Sequence, residues 1–294
     1  MKPDPEDTET YPVSRHIDHG GASFDVEAND RGENAFWTKL ETGTWEPDTL
    51  AIIENHVDSQ TLFLDIGGWI GPTTLYAASL GAAVIVVEAD PKALPPLRRN
   101  VELNPQMAKR IEIVAKALYH NIGPTLDKVR FGSRRKGGDS MSSLVHDKMA
   151  TAWEVETITP ERLAELCRGA AHVFMKVDIE GGEYSIFPKN DALFSLNLSA
   201  LHLSLHPQFV LGKTWGPRRW LRWLSLALNT ARIFRHLGHM RIFRATKTGP
   251  IAAIAVQKLA KLGLCLWPLK KSWLFLPPET PVLPPAKRPS DPSG

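Results

Sequence analysis

The stretch TLFLDIGGWIGPTTLYAASLGAAVIVVEADP, residues 61–91, decides the fold of this 294-residue chain. It begins with an apolar run that ends at Asp65 and Ile66, breaks at glycines, continues with helical spacing and ends in a second apolar run at Glu88. Short apolar runs of this kind are typical of buried parallel strands. The stretch therefore predicts strand, tight turn, helix and strand, with both acids at the carboxyl edge of a sheet, where ligands bind.

The same alternation continues along the chain and predicts an α/β fold. Seven runs have strand character: TLFLDI, AAVIVVEA, RIEIVAKAL, HVFMKVDI, SALHLSLH, MRIFRAT and SWLFLP. Six runs have helical character: EPDTLAIIENHV, GPTTLYAASL, PKALPPLRRNVEL, TPERLAELCRG, the segment 218–236 and IAAIAVQKLAKL. We expect a doubly wound, mostly parallel, seven-stranded Rossmann-like sheet with helices on both faces.

Composition suggests three regions along the chain. Residues 1–33 are predicted to form a polar N-terminal arm, residues 34–276 the α/β domain, and residues 277–294 a proline-rich disordered tail. The segment KVRFGSRRKGGDSMSSLVHD, residues 128–147, is typical of a long, functional loop. We find no secretory signal pattern and no apolar run long enough to span a membrane. The two cysteines fit neither a disulfide framework nor a zinc site, which favours a cytoplasmic location.

The glycines after the first strand indicate what is bound there. Gly67, Gly68 and Gly71 allow the backbone to approach a ligand closely. A nicotinamide cofactor favours G-x-G-x-x-G, so that a helix N-terminus faces pyrophosphate, whereas this chain has G-G-x-x-G beside Asp65, which would repel phosphate. Glu88 lies seventeen residues after Gly71, where a ribose diol is expected. The pattern favours S-adenosylmethionine, a cationic nucleoside without phosphate, over an NAD-dependent oxidoreductase; a purely structural turn is the alternative.

A second motif, VFMKVDIEGGEYSIFP at residues 173–188, places further acids at the end of a later strand. Asp178 is predicted to face the same crevice. Glu180 and Glu183 are three apart and fall on one side of a helical turn. Acids in a first helical turn also stabilise the helix dipole, so a structural role for Glu183 stays open.

The two motifs together resemble the FkbM family of S-adenosylmethionine-dependent methyltransferases. The residues that carry the resemblance are DIGGWIGPTTL, VVEADP with the following RRNVELNP, and MKVDIEGGEY, and the similarity covers about residues 62–206. It implies a Rossmann-like methyltransferase fold and O-methylation of a sugar or polyketide hydroxyl. It also implies that Asp65, Gly67 and Glu88 hold the donor and that Asp178 lies between donor and acceptor. Family members often have Ala-Asn where this chain has Gly68–Trp69, so no side-chain contact is carried over at position 69.

Further candidates come from the flanks of these motifs. Glu46, in ETGTWEPDTL, could pair with the ammonium group of the donor, although ordinary helix entry explains the same residues. A hydroxyl acceptor needs a base, and His206 at the end of SALHLSLH is the candidate, while His202 is expected within the sheet. Asp178, Glu180 and Glu183 could hold a divalent metal, which the spacing does not require.

Charge is unevenly distributed along the chain. Residues 192–278 contain no Asp or Glu but thirteen Lys and Arg. The segment 218–236 has a narrow polar stripe and a broad Trp/Leu/Phe face, typical of a core helix or of a helix that docks onto anionic lipid headgroups. We expect this region to meet an anionic membrane or a phosphate-linked glycan; nucleic acid is less favoured, since no reader motif is present.

The sequence thus predicts an O-methyltransferase that acts on a hydroxyl of a saccharide, glycolipid or related natural product. The alternative is a non-catalytic glycan- or lipid-binding protein on the same fold. Donor binding separates the two.

Overall fold

The computed structural model describes residues 14–120, 128–133, 138, 142–144, 150–211, 218–245, 251–252, 258 and 272–281. The strands, in chain order, are β1 Ser14–His19, β2 Ala22–Glu27, β3 Thr61–Ile66, β4 Ala83–Val87, β5 Ile111–Val114, β6 Ala117–Leu118, β7 Lys128–Ser133, β8 Thr151–Ile158, β9 His172–Val177, β10 Leu198–Ser204, β11 Arg241–Arg244, β12 Ile251–Ala252 and β13 Ser272–Leu276. The helices are α1 Arg31–Glu41, α2 Pro47–His56, α3 Pro72–Ser79, α4 Leu94–Glu102, α5 Pro105–Ala108, α6 Pro160–Leu166, α7 Glu183–Ile186, α8 Pro207–Leu211 and α9 Arg218–His236, with a 3-10 helix at Ala192–Ser195.

The main sheet has the strand order β5-β4-β3-β9-β10-β13-β11-β12. Strands β5, β4, β3, β9 and β10 run parallel, whereas β13 is antiparallel to both β10 and β11. Each of the seven predicted runs contains one strand of this sheet, so the doubly wound Rossmann-like α/β fold is confirmed. The two-residue strand β12 is an eighth strand at the edge. It occupies the start of a predicted helix, so that helix does not begin at Ile251; most of its remaining length lies outside the described residues.

Side chains alternate between the two faces of the sheet, and each face carries a separate hydrophobic core. Phe63 and Phe174 pack on one side with residues of α2 and α3. Leu64 and Met175 pack on the other with residues of α6 and α9. The period-two alternation of the strands therefore requires helices on both faces, as the sequence predicts.

The prediction of a polar arm at the N-terminus is wrong for residues 14–33. Strands β1 and β2 form a hairpin, and its inward side chains, including Ile17 and Phe24, are buried in the core. The outer edge of β2 is satisfied by two asparagine side chains, because Asp25 N donates to Asn104 Oδ1 and Glu27 N to Asn100 Oδ1. The apolar positions of this hairpin alternate, a strand signal that the acidic composition obscures.

A second, small sheet with the order β6-β8-β7 stands beside the main one. Its strand β7 occupies the first six residues of the predicted loop 128–147, so the loop prediction is wrong there. This sheet presents Phe131 and Ala117 toward the carboxyl ends of the parallel strands.

The chain winds in opposite directions from β3, to β4 and β5 on one side and to β9 and β10 on the other. A crevice therefore opens at the carboxyl ends of β3 and its neighbours, where such sheets bind ligands. Among the described residues, no helix combines the length and the apolar character needed to cross a membrane.

Candidate functional site

An open cleft of about 960 Å³ lies at this reversal of winding. Its walls are the turn after β3, the end of β4, the segment after β9, Trp45 and Glu46 before α2, and parts of the small sheet. Among the predicted site residues, the cleft is lined by Glu46, Gly67, Gly68, Glu88, Asp178 and Glu180. Asp65, Gly71, Glu183 and His206 do not line it.

The turn after β3 depends on glycine at position 67. Gly67 has a φ of +90°, and a Cβ there would lie 1.9 Å from the backbone oxygen of Asp178. The amides of Gly67 and Gly68 both donate to Val87 O. Because Gly67 and Gly68 have no side chains, the turn after β3 can lie directly against the ends of the neighbouring strands β4 and β9. Gly71 serves packing instead, since its Cβ would meet Leu97 at 2.8 Å.

Asp65, which the sequence assigned to the donor, does not line the cleft. Its carboxylate is fully buried and accepts hydrogen bonds of 2.7 Å from the hydroxyls of Thr73 and Thr74. Its other oxygen lies 3.2 Å from Nζ of Lys176. Asp65 therefore fixes the start of α3 and neutralises a buried lysine, and its effect on a ligand is indirect.

Lys176 is a residue of the site that sequence reasoning missed. It lines the cleft, and its Nζ also donates to Gly67 O at 3.1 Å. Burial lowers the pKa of Lys176, but the carboxylates of Asp65, Asp178 and Glu46 outweigh burial and raise it. The lysine is therefore a permanent cation. The signal for it was a charged residue within the otherwise apolar strand HVFMKV.

Glu88 stands at the end of β4 as predicted and is held by backbone amides. Its Oε2 accepts from Trp69 N, and its Oε1 accepts from the amides of Ala89 and Asp90, each at 2.7 Å. Burial nevertheless raises the pKa of Glu88 to about 7. The carboxylate is oriented into the cleft by three donors and takes or releases a proton near neutral pH.

Asp90 and Trp69 hold Gly138 and Ser142 at this side of the cleft. Asp90 Oδ2 accepts from the amide of Gly138 at 2.8 Å and from the hydroxyl of Ser142. The indole of Trp69 donates to Gly138 O at 2.7 Å. The hydroxyl of Ser143 donates to Glu180 O at 2.8 Å, on the other side of the cleft. These contacts connect the ends of β4 and β9 across the cleft.

Glu46 reaches the cleft from a strained backbone. Its φ is +38°, a left-handed conformation that is unfavourable for a residue with a side chain, and its carboxylate accepts from Thr49 Oγ1 at 3.0 Å. Burial and the nearby charge of Asp178 raise the pKa of Glu46 to about 7. Strain of this kind concentrates at functional sites.

The second motif forms a cluster around His206. The ring Nδ1 lies 3.1 Å from Glu183 Oε1, and Nε2 lies 3.6 Å from Asp178 Oδ1 and 3.9 Å from Glu180 Oε2. Glu183 is fully buried and also accepts from the amides of Ile179 and Gly181. A carboxylate only accepts, so Nδ1 of His206 carries a proton.

His206 is unsuited to the role of general base that the sequence suggested. Burial lowers the pKa of His206, but the hydrogen bond to Glu183 and the charges of Asp178, Glu183 and Glu180 raise it to about 9. The imidazole is therefore protonated at neutral pH, and it does not line the cleft. Its role is to hold the carboxylates in place.

Glu180 is the acid in this cluster whose side chain is most poorly satisfied. Its φ is +52°, and its buried Oε2 has no hydrogen-bond partner among the described residues. Burial and the Asp178 and Glu183 carboxylates raise the pKa of Glu180 to about 8, against the opposing charge of His206. A strained residue with an unsatisfied acid that lines a cleft is suited to bind or deprotonate a ligand.

The same cluster contains a set of potential metal ligands. One atom each of Asp178, Glu183 and His206 lie within 4.8 Å of one another. The predicted set of Asp178, Glu180 and Glu183 thus changes by one member. The chemistry of a His and two carboxylates fits a divalent cation. When both ring nitrogens of His206 carry a proton, the imidazolium itself supplies the positive charge between Asp178 and Glu183.

His202 lies within the sheet, as expected, but is not satisfied by a hydrogen bond there. It is paired in register with Lys176, and neither ring nitrogen has a hydrogen-bond partner among the described residues. Burial lowers the pKa of His202 to about 4, so the ring is neutral.

Charge distinguishes the ligands that fit the cleft. Five acidic side chains line it: Glu46, Glu88, Asp90, Asp178 and Glu180. The lysines that line it are Lys116 and Lys176, and Lys176 is neutralised by Asp65. The cleft is therefore suited to a cation and unfavourable to pyrophosphate.

No protein-family model matches the chain, and no curated protein matches it, so the FkbM resemblance stays a prediction. Solved structures of similar fold include a SAM-dependent methyltransferase from Agrobacterium tumefaciens, with 15% identity over 67% of this chain and a TM-score of 0.35. An O-methyltransferase from Bacillus cereus in complex with SAH has 12% identity over 78% of each chain and a TM-score of 0.37. Cofactor-bound Rv0187 from MTB has 12% identity over 85% of this chain and 98% of its own, with a TM-score of 0.39. This chain spans 54% of the length of the Agrobacterium protein.

Proposed function

We propose that the chain is an S-adenosylmethionine-dependent methyltransferase, of the kind found in the FkbM family, that methylates a hydroxyl of a saccharide, glycolipid or related natural product. The observation that carries this proposal is the acid-lined cleft at the reversal of the sheet, with Glu88 oriented by three backbone amides. A sulfonium nucleoside brings positive charge and a ribose diol and no phosphate. This combination matches the carboxylates, whereas a dinucleotide would bring its pyrophosphate against them.

Three parts of the donor would have partners in this arrangement. Glu88 would accept from the ribose hydroxyls, and the backbone of Gly67 and Gly68 would lie along the nucleoside. Glu46 would pair with the ammonium group. The sulfonium methyl would then point toward Asp178 and Glu180, which occupy the acceptor side.

Methyl transfer is an in-line displacement, so catalysis depends mainly on positioning the acceptor oxygen behind the methyl group. The hydroxyl also loses its proton as the new bond forms. Glu180 is the base that the geometry favours, because its Oε2 is unsatisfied and its pKa of about 8 is close to the working pH. Asp178 would lie between donor and acceptor, as the family resemblance implies, and His206 would orient both acids.

Donor binding and turnover test this function separately. Titration calorimetry should detect binding of S-adenosylhomocysteine and no comparable binding of NAD. Glu88→Ala should weaken donor binding by at least about tenfold, corresponding to one lost charge-assisted hydrogen bond, while Glu102→Ala, an exposed change on α4, should not. Binding of NAD instead would contradict the assignment.

The acceptor class is tested with a labelled methyl donor and a panel of saccharides, glycolipids and polyketides. Glu180→Gln should reduce turnover by about 10²- to 10⁴-fold and leave donor affinity unchanged. Donor binding without transfer to any acceptor would favour the alternative of a non-catalytic glycan- or lipid-binding protein.

A further inference from the structure

Helix α9 exposes apolar side chains that a core helix would bury. The exposed large hydrophobic residues among the described part of the chain all belong to it: Trp220 at 60% exposure, Leu221 at 50%, Leu224 at 44% and Leu228 at 43%. Exposed apolar side chains clustered on one element mark an interaction surface, whereas isolated ones are ordinary.

The exposed residues form one strip along the helix. Positions 221, 224, 228, 232 and 235 follow one another at intervals of three or four, which places them on a single face. The first half of this strip is apolar and the second half carries Arg232 and Arg235, both exposed. We call the surface formed by Trp220, Leu221, Leu224, Leu228, Arg232 and Arg235 the α9 face.

The core does not need the α9 face. The opposite side of the helix already packs into the core through Leu226, Ile233 and Phe234, each at most 1% exposed, and the following residue Leu237 is buried as well. Of the two interpretations that the sequence left open, the core helix accounts for this buried side of α9 but not for the exposed apolar residues of its first half. The broad apolar face predicted from the sequence is divided between core and solvent.

Charge favours one class of partner for the α9 face. The segment 192–278, which contains α9, has thirteen Lys and Arg and no Asp or Glu. Trp and Leu beside exposed Arg, without acids, is the composition of helices that lie in the interface of an anionic membrane.

We propose that the α9 face docks the protein onto the surface of a membrane that contains anionic lipids. The apolar half would insert among the lipid headgroups, and Arg232 and Arg235 would contact their phosphates. α9 also packs against α7 and α8, which directly follow the Glu180 and His206 segments. Docking there would place the acceptor side of the cleft close to a lipid-linked substrate. This consequence rests on the proposed function, whereas the docking itself does not depend on it.

Cosedimentation with vesicles tests the proposal on the full chain. We expect binding to vesicles of 30% phosphatidylserine in phosphatidylcholine at low salt, weaker binding at high salt, and little binding to pure phosphatidylcholine. Leu224→Gln/Leu228→Gln should lower the vesicle partition coefficient by about tenfold or more. Arg232→Gln/Arg235→Gln should lower it by about 30-fold at low salt.

The control is Arg98→Gln/Lys109→Gln, which removes the same charge from exposed positions on and after α4. It should bind like the wild type, and all variants should retain the thermal melt and the donor affinity of the wild type. Equal binding to both vesicle types, or equal losses in the control, would overturn the proposal. If the wild type is a dimer and Leu224→Gln/Leu228→Gln converts it to a monomer, the α9 face binds a second copy of the chain and the proposal is wrong. If the protein binds RNA in a salt-sensitive way and does not bind vesicles, the partner is nucleic acid and the proposal is likewise wrong.

Discussion

Nζ of Lys176 lies 3.2 Å from Oδ1 of Asp65, and both side chains are buried. The pair joins neighbouring strands, because Asp65 of β3 and Lys176 of β9 are opposite each other in register. Its consequence is that the acid after the first strand, which the sequence assigned to the ligand, stabilises the fold around the cleft. Lys176 in turn holds the turn oxygen of Gly67.

Removal of either partner should be costly, because an unpaired charge remains buried. We expect Lys176→Met and Asp65→Asn each to lower the free energy of unfolding by about 3–5 kcal/mol. The double variant should lose clearly less than the sum, as measured by urea denaturation. Additive losses would show that the two side chains are not coupled.

Gly67 and Gly169 share a φ of +90° but differ in the space around them. A Cβ at Gly67 would lie 1.9 Å from Asp178 O, whereas a Cβ at Gly169 has nothing within 4 Å. We expect Gly169→Ala to cost about 1–2 kcal/mol from the left-handed backbone alone. Gly67→Ala should cost about 3 kcal/mol or more, since the strand ends must also move apart. Equal costs in denaturant unfolding would contradict the close approach.

Donor binding should depend on the ionisation of Glu88. The carboxyl has a pKa of about 7 and accepts ribose hydroxyls best when it is ionised. One-proton linkage for Glu88 alone predicts that the affinity for S-adenosylhomocysteine rises about tenfold between pH 6 and 8, and any contribution of Glu46 adds to that rise. Glu46 has a similar pKa and acts in the same direction, so Glu88→Gln should reduce the pH dependence without removing it. Calorimetry at the two pH values measures this, with Glu102→Gln as the control; a pH dependence in Glu88→Gln equal to that of the wild type would contradict the role of Glu88.

The protonated His206 should stabilise the folded chain in a definite pH window. Its pKa is about 9 in the folded chain and 6.5 ordinarily, so its contribution is fully present below pH 6.5 and is lost as pH rises through about 9. We expect His206→Asn to lower the free energy of unfolding by about 1.5–3 kcal/mol at pH 6. The difference from wild type should narrow toward pH 9.5, while the exposed His239→Asn should show no such window. A constant difference would mean that His206 is neutral.

A chelator should leave turnover unchanged if His206 supplies the positive charge within its cluster. The ligand atoms of Asp178, Glu183 and His206 are close enough for a divalent ion, so the experiment decides between two cations. Methyl transfer is measured after EDTA treatment and after addition of Mg²⁺ or Mn²⁺. Activity lost to EDTA and restored by either ion would assign the cluster to a metal.

The sequence by itself determined the elements and their order. Apolar runs such as TLFLDI and HVFMKV can only be buried parallel strands when helical segments separate them, and the glycines at 67 and 68 require a tight turn at the carboxyl edge. Local composition misled at the N-terminus, where polar residues on the exposed side of β1 and β2 obscured the alternating apolar positions.

The tertiary structure alone decided which charges face the ligand. Asp65 and Glu88 stand at equivalent strand ends in sequence, yet Lys176 and two threonines enclose Asp65, while backbone amides orient Glu88 into the cleft. His206 likewise becomes a cation because three carboxylates, each more than twenty residues earlier in the chain, surround it. The periodicity of α9 also did not show which of its apolar residues are exposed. An apolar helix face indicates that the face is covered, but the pattern does not specify whether the core of the same chain or another partner covers it. In each case the side chain's role depends on long-range neighbours, which a linear pattern does not specify.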